Sequence, residues 1–225
     1  MIARRMLLSA AFLMMLAIGA LASASPVSAE TATFGIDHNG GAPNINPGPA
    51  IVVEGGDVTV ALVTVAPPSE LGSWTVNIAF DSAVLDATAC DTNPAIPQAC
   101  NPDHALGVRL AGADSTGVSG TVDLMDMTFE AVGNAGDCSA LVPNVEVLTD
   151  PLENSLDSAV NTGQVCIVQC ADFNDDGRVT LADGVRLLIQ ILLRRPYLAT
   201  FDLDADGDVD GRDFLVWQRQ YGTSC

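Results

Sequence analysis

The sequence predicts a mainly β protein: an antiparallel β-sandwich over residues 30–168, then a small α-helical unit over 169–225 in which an acidic loop–helix motif is duplicated. Three observations carry this reading. Short segments of alternating polarity are punctuated by Gly-, Pro-, Asn- and Asp-rich gaps. The stretches "DFNDDGRVTLAD" (172–183) and "DLDADGDVDGRD" (202–213) share one pattern. Each is followed by apolar residues at helical spacing.

Residues 1–29 predict a signal peptide. Arg4 and Arg5 form a basic start, an apolar run follows, and Val27-Ser28-Ala29 gives an A-x-A-like cleavage site. The apolar run is a little short for a bilayer span of about 20 residues. The mature chain would begin near Glu30, be secreted, and carry no later membrane span. It contains no Lys. Seven Arg then face 28 acidic residues, a balance that repels nucleic acid and anionic membranes.

Within the β region, "DVTVALVTV" (57–65) is apolar on both faces, as in a strand between two layers. "WTVNIAF" (74–80) alternates, with Trp74, Val76, Ile78 and Phe80 on one side and Thr75, Asn77 and Ala79 on the other. Segments 105–111, 121–132, 144–149 and 163–168 continue the pattern. "NGGAPNINPGP", "APPSELGS" and "GADSTGVSG" are turn-rich gaps. Short strands between such turns argue for a sandwich. Trp74, Phe80 and Phe129 belong to the core stripe, which leaves little for a flat aromatic sugar platform.

Six Cys lie beyond the cleavage site: Cys90, Cys100, Cys138, Cys166, Cys170 and Cys225. An even count in an exported chain points to disulfides. Proximity favours Cys90–Cys100, Cys138–Cys166 and Cys170–Cys225, though six Cys allow 15 pairings. The segment between Cys90 and Cys100 reads as an insertion. A zinc site finds no support: there is no C-x-x-C pair, and the only His residues are His38 and His104.

The two acidic loops match the calcium template D-x-[DN]-x-[DN]-G-x5-acid. In the first, Asp172, Asn174 and Asp176 take positions one, three and five. Gly177 turns the chain at six, Arg178 offers a backbone carbonyl at seven, Thr180 holds nine, and Asp183 closes at twelve. In the second, Asp202, Asp204, Asp206, Gly207, Asp208, Asp210 and Asp213 hold the same places. Hard oxygen ligands at alternate positions let one turn of loop wrap one ion, so two calcium ions are expected, the more acidic second loop binding more tightly. Val185, Leu188, Ile189 and Leu192 then mark one face of a first helix, which Pro196 ends. Phe214, Trp217 and Tyr221 mark one face of a second.

The duplicated loop–helix unit, with Asp rather than Glu at position twelve and no helix before the first loop, resembles a type I dockerin over about 170–223. That resemblance implies a calcium-dependent module that docks onto cohesins in extracellular assemblies for polysaccharide breakdown. It places partner contacts at loop positions ten and eleven, Leu181-Ala182 and Gly211-Arg212, and along the helices near Leu188, Ile189, Gln218 and Arg219. These pairs do not match between the halves, so the resemblance argues against a symmetric dual binding mode. Cys170 and Cys225 bracket the unit, and a disulfide closing a loop of about 55 residues contributes on the order of 4 kcal/mol.

"VEGGDVTVALVTVAPPSELGSWTVNIAFDSAVLDATAC" and the later "GTVDLMDMTFEA" resemble cohesin modules. This implies a jelly-roll-type sandwich, an architecture that cohesins share with certain carbohydrate-binding modules. The two resemblances imply a non-catalytic scaffold or adaptor with a protein partner of cohesin or dockerin type. The alternative is a carbohydrate-binding protein whose dockerin attaches it to a glycoside-hydrolase assembly, with polysaccharide as ligand. Catalysis finds little support. Asp123 and Asp126 read as a solvated strand edge, and neither His38 nor His104 has a recognisable nucleophile partner.

Overall fold

The computed structural model describes residues 30–38 and 48–224. The predicted signal peptide and Cys225 lie outside the described residues. Among the described residues eleven strands form two sheets packed face to face. In chain order they are β1 (Thr31–Asp37), β2 (Ala50–Val53), β3 (Asp57–Val65), β4 (Leu71–Ala79), β5 (Leu85–Thr92), β6 (Gln98–Asn101), β7 (Val108–Val118), β8 (Thr121–Ala131), β9 (Cys138–Thr149), β10 (Asp157–Asn161) and β11 (Gly163–Val168). One sheet runs β10-β1-β3-β8-β5, the other β2-β11-β9-β4-β7-β6.

The sequence predicts an antiparallel sandwich, but the pairing is not wholly antiparallel. β1 and β10 pair in parallel, and so do β2 and β11. The topology explains both. The chain crosses from one sheet to the other between β1 and β2, and crosses again in the same sense between β10 and β11, so each later strand lies alongside an earlier one running the same way. The remaining ladders are antiparallel.

The core follows from the alternation. Trp74, Val76 and Ile78 of β4 are buried against Phe34, Leu62, Leu110, Met127 and Phe129. Phe80 falls beyond the end of β4, half-buried, with its ring 5.1 Å from that of Phe129. Asn77, expected on the open face, is fully buried. Its amide donates to Glu146 at 2.7 Å and its carbonyl lies 3.4 Å from an Arg109 donor, so two long side chains fold over it. In β8 the simple alternation breaks. β8 inserts Leu124 opposite the Leu62–Val63 step, and the resulting bulge turns the adjacent Leu124 and Met125 both into the core beside Val60 and Leu62, while Val63 is buried outside that cluster.

The segment around Cys90 and Cys100 is not a loose insertion. β5 is the edge of one sheet and β6 the edge of the other, and the Cys90–Cys100 disulfide ties these edges together. Cys138 and Cys166 sit directly opposite in the β9–β11 ladder and form a second disulfide. Cys170 is also disulfide-bonded.

β2 reads "AIVV", and both of its faces are used. Ala50 and Val52 enter the sandwich core, whereas Ile51 and Val53 pack against a second, smaller cluster. That cluster comprises Val168, Ala171, Val179, Leu187, Leu203, Val216 and Trp217. It is built by α1 (Leu181–Leu192), a short 3-10 turn at Ala199–Phe201, and α2 (Gly211–Gln220). Gln169 N–H donates to Leu203 O at 2.9 Å, stitching the end of β11 to the second acidic loop. Among the described residues no helix is long and apolar enough to cross a membrane.

Candidate metal loops and partner face

The two acidic loops repeat one hydrogen-bond pattern at an offset of about thirty residues. Gly177 N–H donates to Asp172 Oδ2 at 2.8 Å, and Gly207 N–H to Asp202 Oδ2 at 3.0 Å. Asp176 N–H donates to Asp172 Oδ1, as Asp206 N–H does to Asp202 Oδ1. Arg178 N–H and Asp208 N–H donate to Asp176 and Asp206. The backbone conformation repeats too. Gly177 has φ of 83° and Gly207 of 96°, left-handed values that suit glycine, and Asp175 and Ala205 lie at 58° and 54°.

The acid at position twelve closes each loop and starts each helix. Asp183 accepts from Phe173 N–H at 3.0 Å and from Thr180 N–H at 2.9 Å. Asp213 accepts from Leu203 N–H and Asp210 N–H, both at 2.6 Å. Each is thus the third helical residue of a capping box, and both are buried. A carboxylate there also meets the positive end of the helix dipole.

The second loop is the more acidic. Carboxylate oxygens of Asp202, Asp204 and Asp206 lie within 4.8 Å of one another, as do those of Asp208, Asp210 and Asp213. In the first loop positions three and nine are Asn174 and Thr180. Burial pushes the Asp204 carboxyl above the usual carboxylate range, and Asp206 pushes it further. Asp206, then burial, raises that of Asp208. Burial lifts Asp213 to about 6 against its two backbone donors, and Asp204 and Asp202 add to the rise. Oδ1 of Asp204 is buried and has no hydrogen-bond partner. An orphaned acceptor among carboxylates is the environment a hard divalent cation satisfies, so the residues present fit calcium. Arg212 supplies a cation here, its Nη1 3.1 Å from Asp206 Oδ2, and Arg194 and Arg195 line a cleft with Gly207 and Asp208.

A pH dependence follows. An acid whose pKa is raised by folding favours the folded state while protonated. That contribution is complete below the unfolded value near 3.8 and is lost as pH rises through about 6. Calcium-stripped protein should therefore melt at progressively lower temperature as pH is raised from about 4 to about 7, and excess calcium should remove the decline at the neutral end. A flat profile for stripped protein would contradict this placement of Asp213.

The partner positions implied by the sequence separate into two groups. Leu181, Ala182, Leu188 and Ile189 are exposed on the outer side of α1. In the second repeat Gly211, Arg212, Gln218 and Arg219 are all exposed, and Arg212 and Arg219 also line a cleft of about 390 Å³ between α2 and the sandwich, with Ile51, Val168 and Leu215. The stripe Val185, Leu188, Ile189 and Leu192 lies on the open side of α1. The buried side is Asp183, Gly184, Leu187 and Gln190. Asp183 fixes this rotation: its side chain must reach back into the loop, and Gly184, Leu187 and Gln190 follow at one, four and seven residues on. In α2, Trp217 is buried, Phe214 half-buried and Tyr221 exposed.

Sequence reasoning missed Gln190 and Gln220, which occupy equivalent places in the two repeats. Gln220 accepts from Ala171 N–H at 2.9 Å and donates to Gln169 O at 2.8 Å, pinning the last helix to the start of the unit. Gln190 donates to Pro196 O at 2.6 Å. Their shared register, seven residues after the position-twelve acid, was the available signal. Asp123 and Asp126 both lie on the solvent side of β8, and burial followed by repulsion from Asp126 raises the Asp123 pKa. His104 Nε2 lies 3.3 Å from Arg109 Nη1. The pKa of His38 is lowered, chiefly by burial.

No family model matches the chain, and no curated protein does. Solved structures do. The seventh ScaB type I cohesin from Pseudobacteroides cellulosolvens is 13% identical and covers 64% of this chain and 96% of its own, with a TM-score of 0.53. The Coh-OlpC-Doc435 complex, a type I cohesin–dockerin complex from Clostridium thermocellum, gives 11% identity, 65% and 99% coverage and a TM-score of 0.52. The Coh-OlpA-Doc918 complex from the same organism gives 14%, 61%, 99% and 0.50. At these identities the likeness is one of fold: this is a mainly β protein built on a cohesin-like sandwich. Its disulfides fit an oxidising compartment.

Proposed function

We propose that the protein is a secreted, non-catalytic adaptor that binds two calcium ions through residues 172–183 and 202–213 and assembles with a protein partner of cohesin or dockerin type. The observation that carries this reading is the repeated hydrogen-bond pattern of the two loops, with its unsatisfied Asp204 oxygen. The sandwich adds support, because two of the similar structures are cohesins in complex with dockerins. The link to extracellular polysaccharide breakdown rests on the sequence resemblance to dockerins.

The arrangement favours one partner face over two. In the second repeat Arg212 and Arg219, though exposed, line a cleft whose other wall is the chain's own sandwich, which crowds a partner there, while Leu181, Ala182, Leu188 and Ile189 of the first stand clear of it. Sugar binding by the sandwich is disfavoured: Trp74, Phe34 and Phe129 are buried in the core.

Calorimetric titration of the chain from Glu30 with calcium tests the reading. Two ions per chain are expected, falling to one in Asp172→Ala and one in Asp202→Ala. Absence of calcium binding by the intact protein would end the proposal.

A further inference from the structure

We propose that Tyr197 is a positioning residue of the second metal loop: its phenol holds the carboxylate of Asp202 so that Oδ1 is the oxygen kept for calcium. This rests on the calcium reading and adds to it a residue that lies outside both loops.

Asp202, at position one, is buried, and its two oxygens differ. Oδ1 accepts from Asp206 N–H at 3.1 Å. Oδ2 accepts twice, from Gly207 N–H at 3.0 Å and from the Tyr197 hydroxyl at 2.8 Å. A carboxylate oxygen has about two lone-pair sites, so Oδ2 is saturated and Oδ1 retains room for a cation. The hydroxyl has water as an alternative, since Tyr197 is 52% exposed. Its bond to an ionised, buried acceptor is the stronger kind, because the charge on the acceptor shortens and strengthens it.

The first loop lacks this device. Among the described residues Asp172 accepts from backbone donors of its own loop: Asn174 and Asp176 N–H on Oδ1, and Gly177 N–H on Oδ2. Tyr197 stands five residues before Asp202. Five residues before Asp172 stands Ile167, which is buried in the sandwich core and has no donor to offer.

The connection between the repeats holds Tyr197 in place. Gln190, buried on α1, donates to Pro196 O at 2.6 Å and so anchors the residue before Tyr197. The 3-10 turn at Ala199–Phe201 then folds the chain back, with Phe201 N–H donating to Leu198 O at 3.0 Å and Asp202 N–H to Ala199 O at 3.3 Å. That turn brings the phenol onto Asp202. Removing an outer hydrogen-bond partner of a metal ligand typically costs about 10–100-fold in affinity.

Calorimetric titration of the chain from Glu30 with calcium tests the assignment. Tyr197→Phe keeps the ring and deletes the donor. It should weaken one of two binding steps at least about tenfold and leave the other unchanged. In the Asp172→Ala background, where the second loop alone reports, the loss should appear in full. In the Asp202→Ala background, where the first loop alone reports, Tyr197→Phe should have no effect. A Tyr197→Phe chain that binds both ions like the parent overturns the proposal and leaves the calcium reading standing. Equal weakening of both sites overturns it too, because a general loosening of the helical unit would act on both alike. A parent chain that binds no calcium ends both readings.

Discussion

Stripping calcium should unfold the two loops and their helices while the sandwich stays folded. Among the described residues the apolar cluster beneath the helices holds seven buried residues, whereas the sandwich core is several times larger. The loops meanwhile gather carboxylates that repel one another once nothing cancels them: Asp204 and Asp213 are held above the usual carboxylate range by burial, with neighbouring aspartates adding to the rise. A site filled at a thousand times its dissociation constant adds about 4 kcal/mol to stability, and two such sites about twice that. Helical circular dichroism and amide exchange of residues 170–224 should therefore be lost in chelator and regained in calcium, with exchange of β4 and β9 unchanged. Asp202→Ala should shift the transition most. It removes a proposed ligand and also the acceptor for Gly207 and Asp206 N–H, which shape the turn. Identical melting of the helical unit in calcium and in chelator would refute the calcium reading.

The shape of the loops was legible in the sequence because it is local: the turn at Gly177 and the capping acid Asp183 fall within twelve consecutive residues. β4 was legible for a similar reason, since one face of its alternating run enters a core that accepts only apolar groups. The disulfides Cys90–Cys100 and Cys138–Cys166 followed from proximity alone. What escaped depended on distant partners. β5 and β6 are rich in Ala, Asp, Thr and Cys and are strands because the two sheet edges and a disulfide hold them. β10 is exposed almost throughout and exists by pairing with β1. The bulge at Leu124 is a property of two strands together. The rotation of α1 escaped because its apolar stripe is stronger than its buried face, and only the reach of Asp183 into the loop settles which side turns inward.

That rotation makes Gly184 the position where a single methyl group should do most harm. A Cβ there would overlap the six-membered ring of Trp217. The ring has nowhere to go. Its Nε1 donates to Thr180 O at 3.3 Å, and it is flanked by Phe214 at 5.0 Å and Tyr221 at 5.6 Å between ring centres. Two effects oppose each other in Gly184→Ala. Alanine favours the helix by about 1 kcal/mol, whereas overpacking costs about 1–3 kcal/mol, at the upper end where neighbours cannot yield. Overpacking should win, and Gly184→Val should be worse. Because Asp183 is the adjacent residue, calcium affinity of the first loop should fall together with the melting temperature. Gly211 supplies the control. It too is helical, but nothing lies within 4 Å of a Cβ built on it, so Gly211→Ala should leave stability unchanged or raise it by up to about 1 kcal/mol. Thermal melts of the two variants in calcium should move in opposite directions. If Gly184→Ala melts at or above the parent temperature, the Trp217 ring is not what locks α1 against α2, and the orientation of the α1 face would have to be set by Asp183 alone.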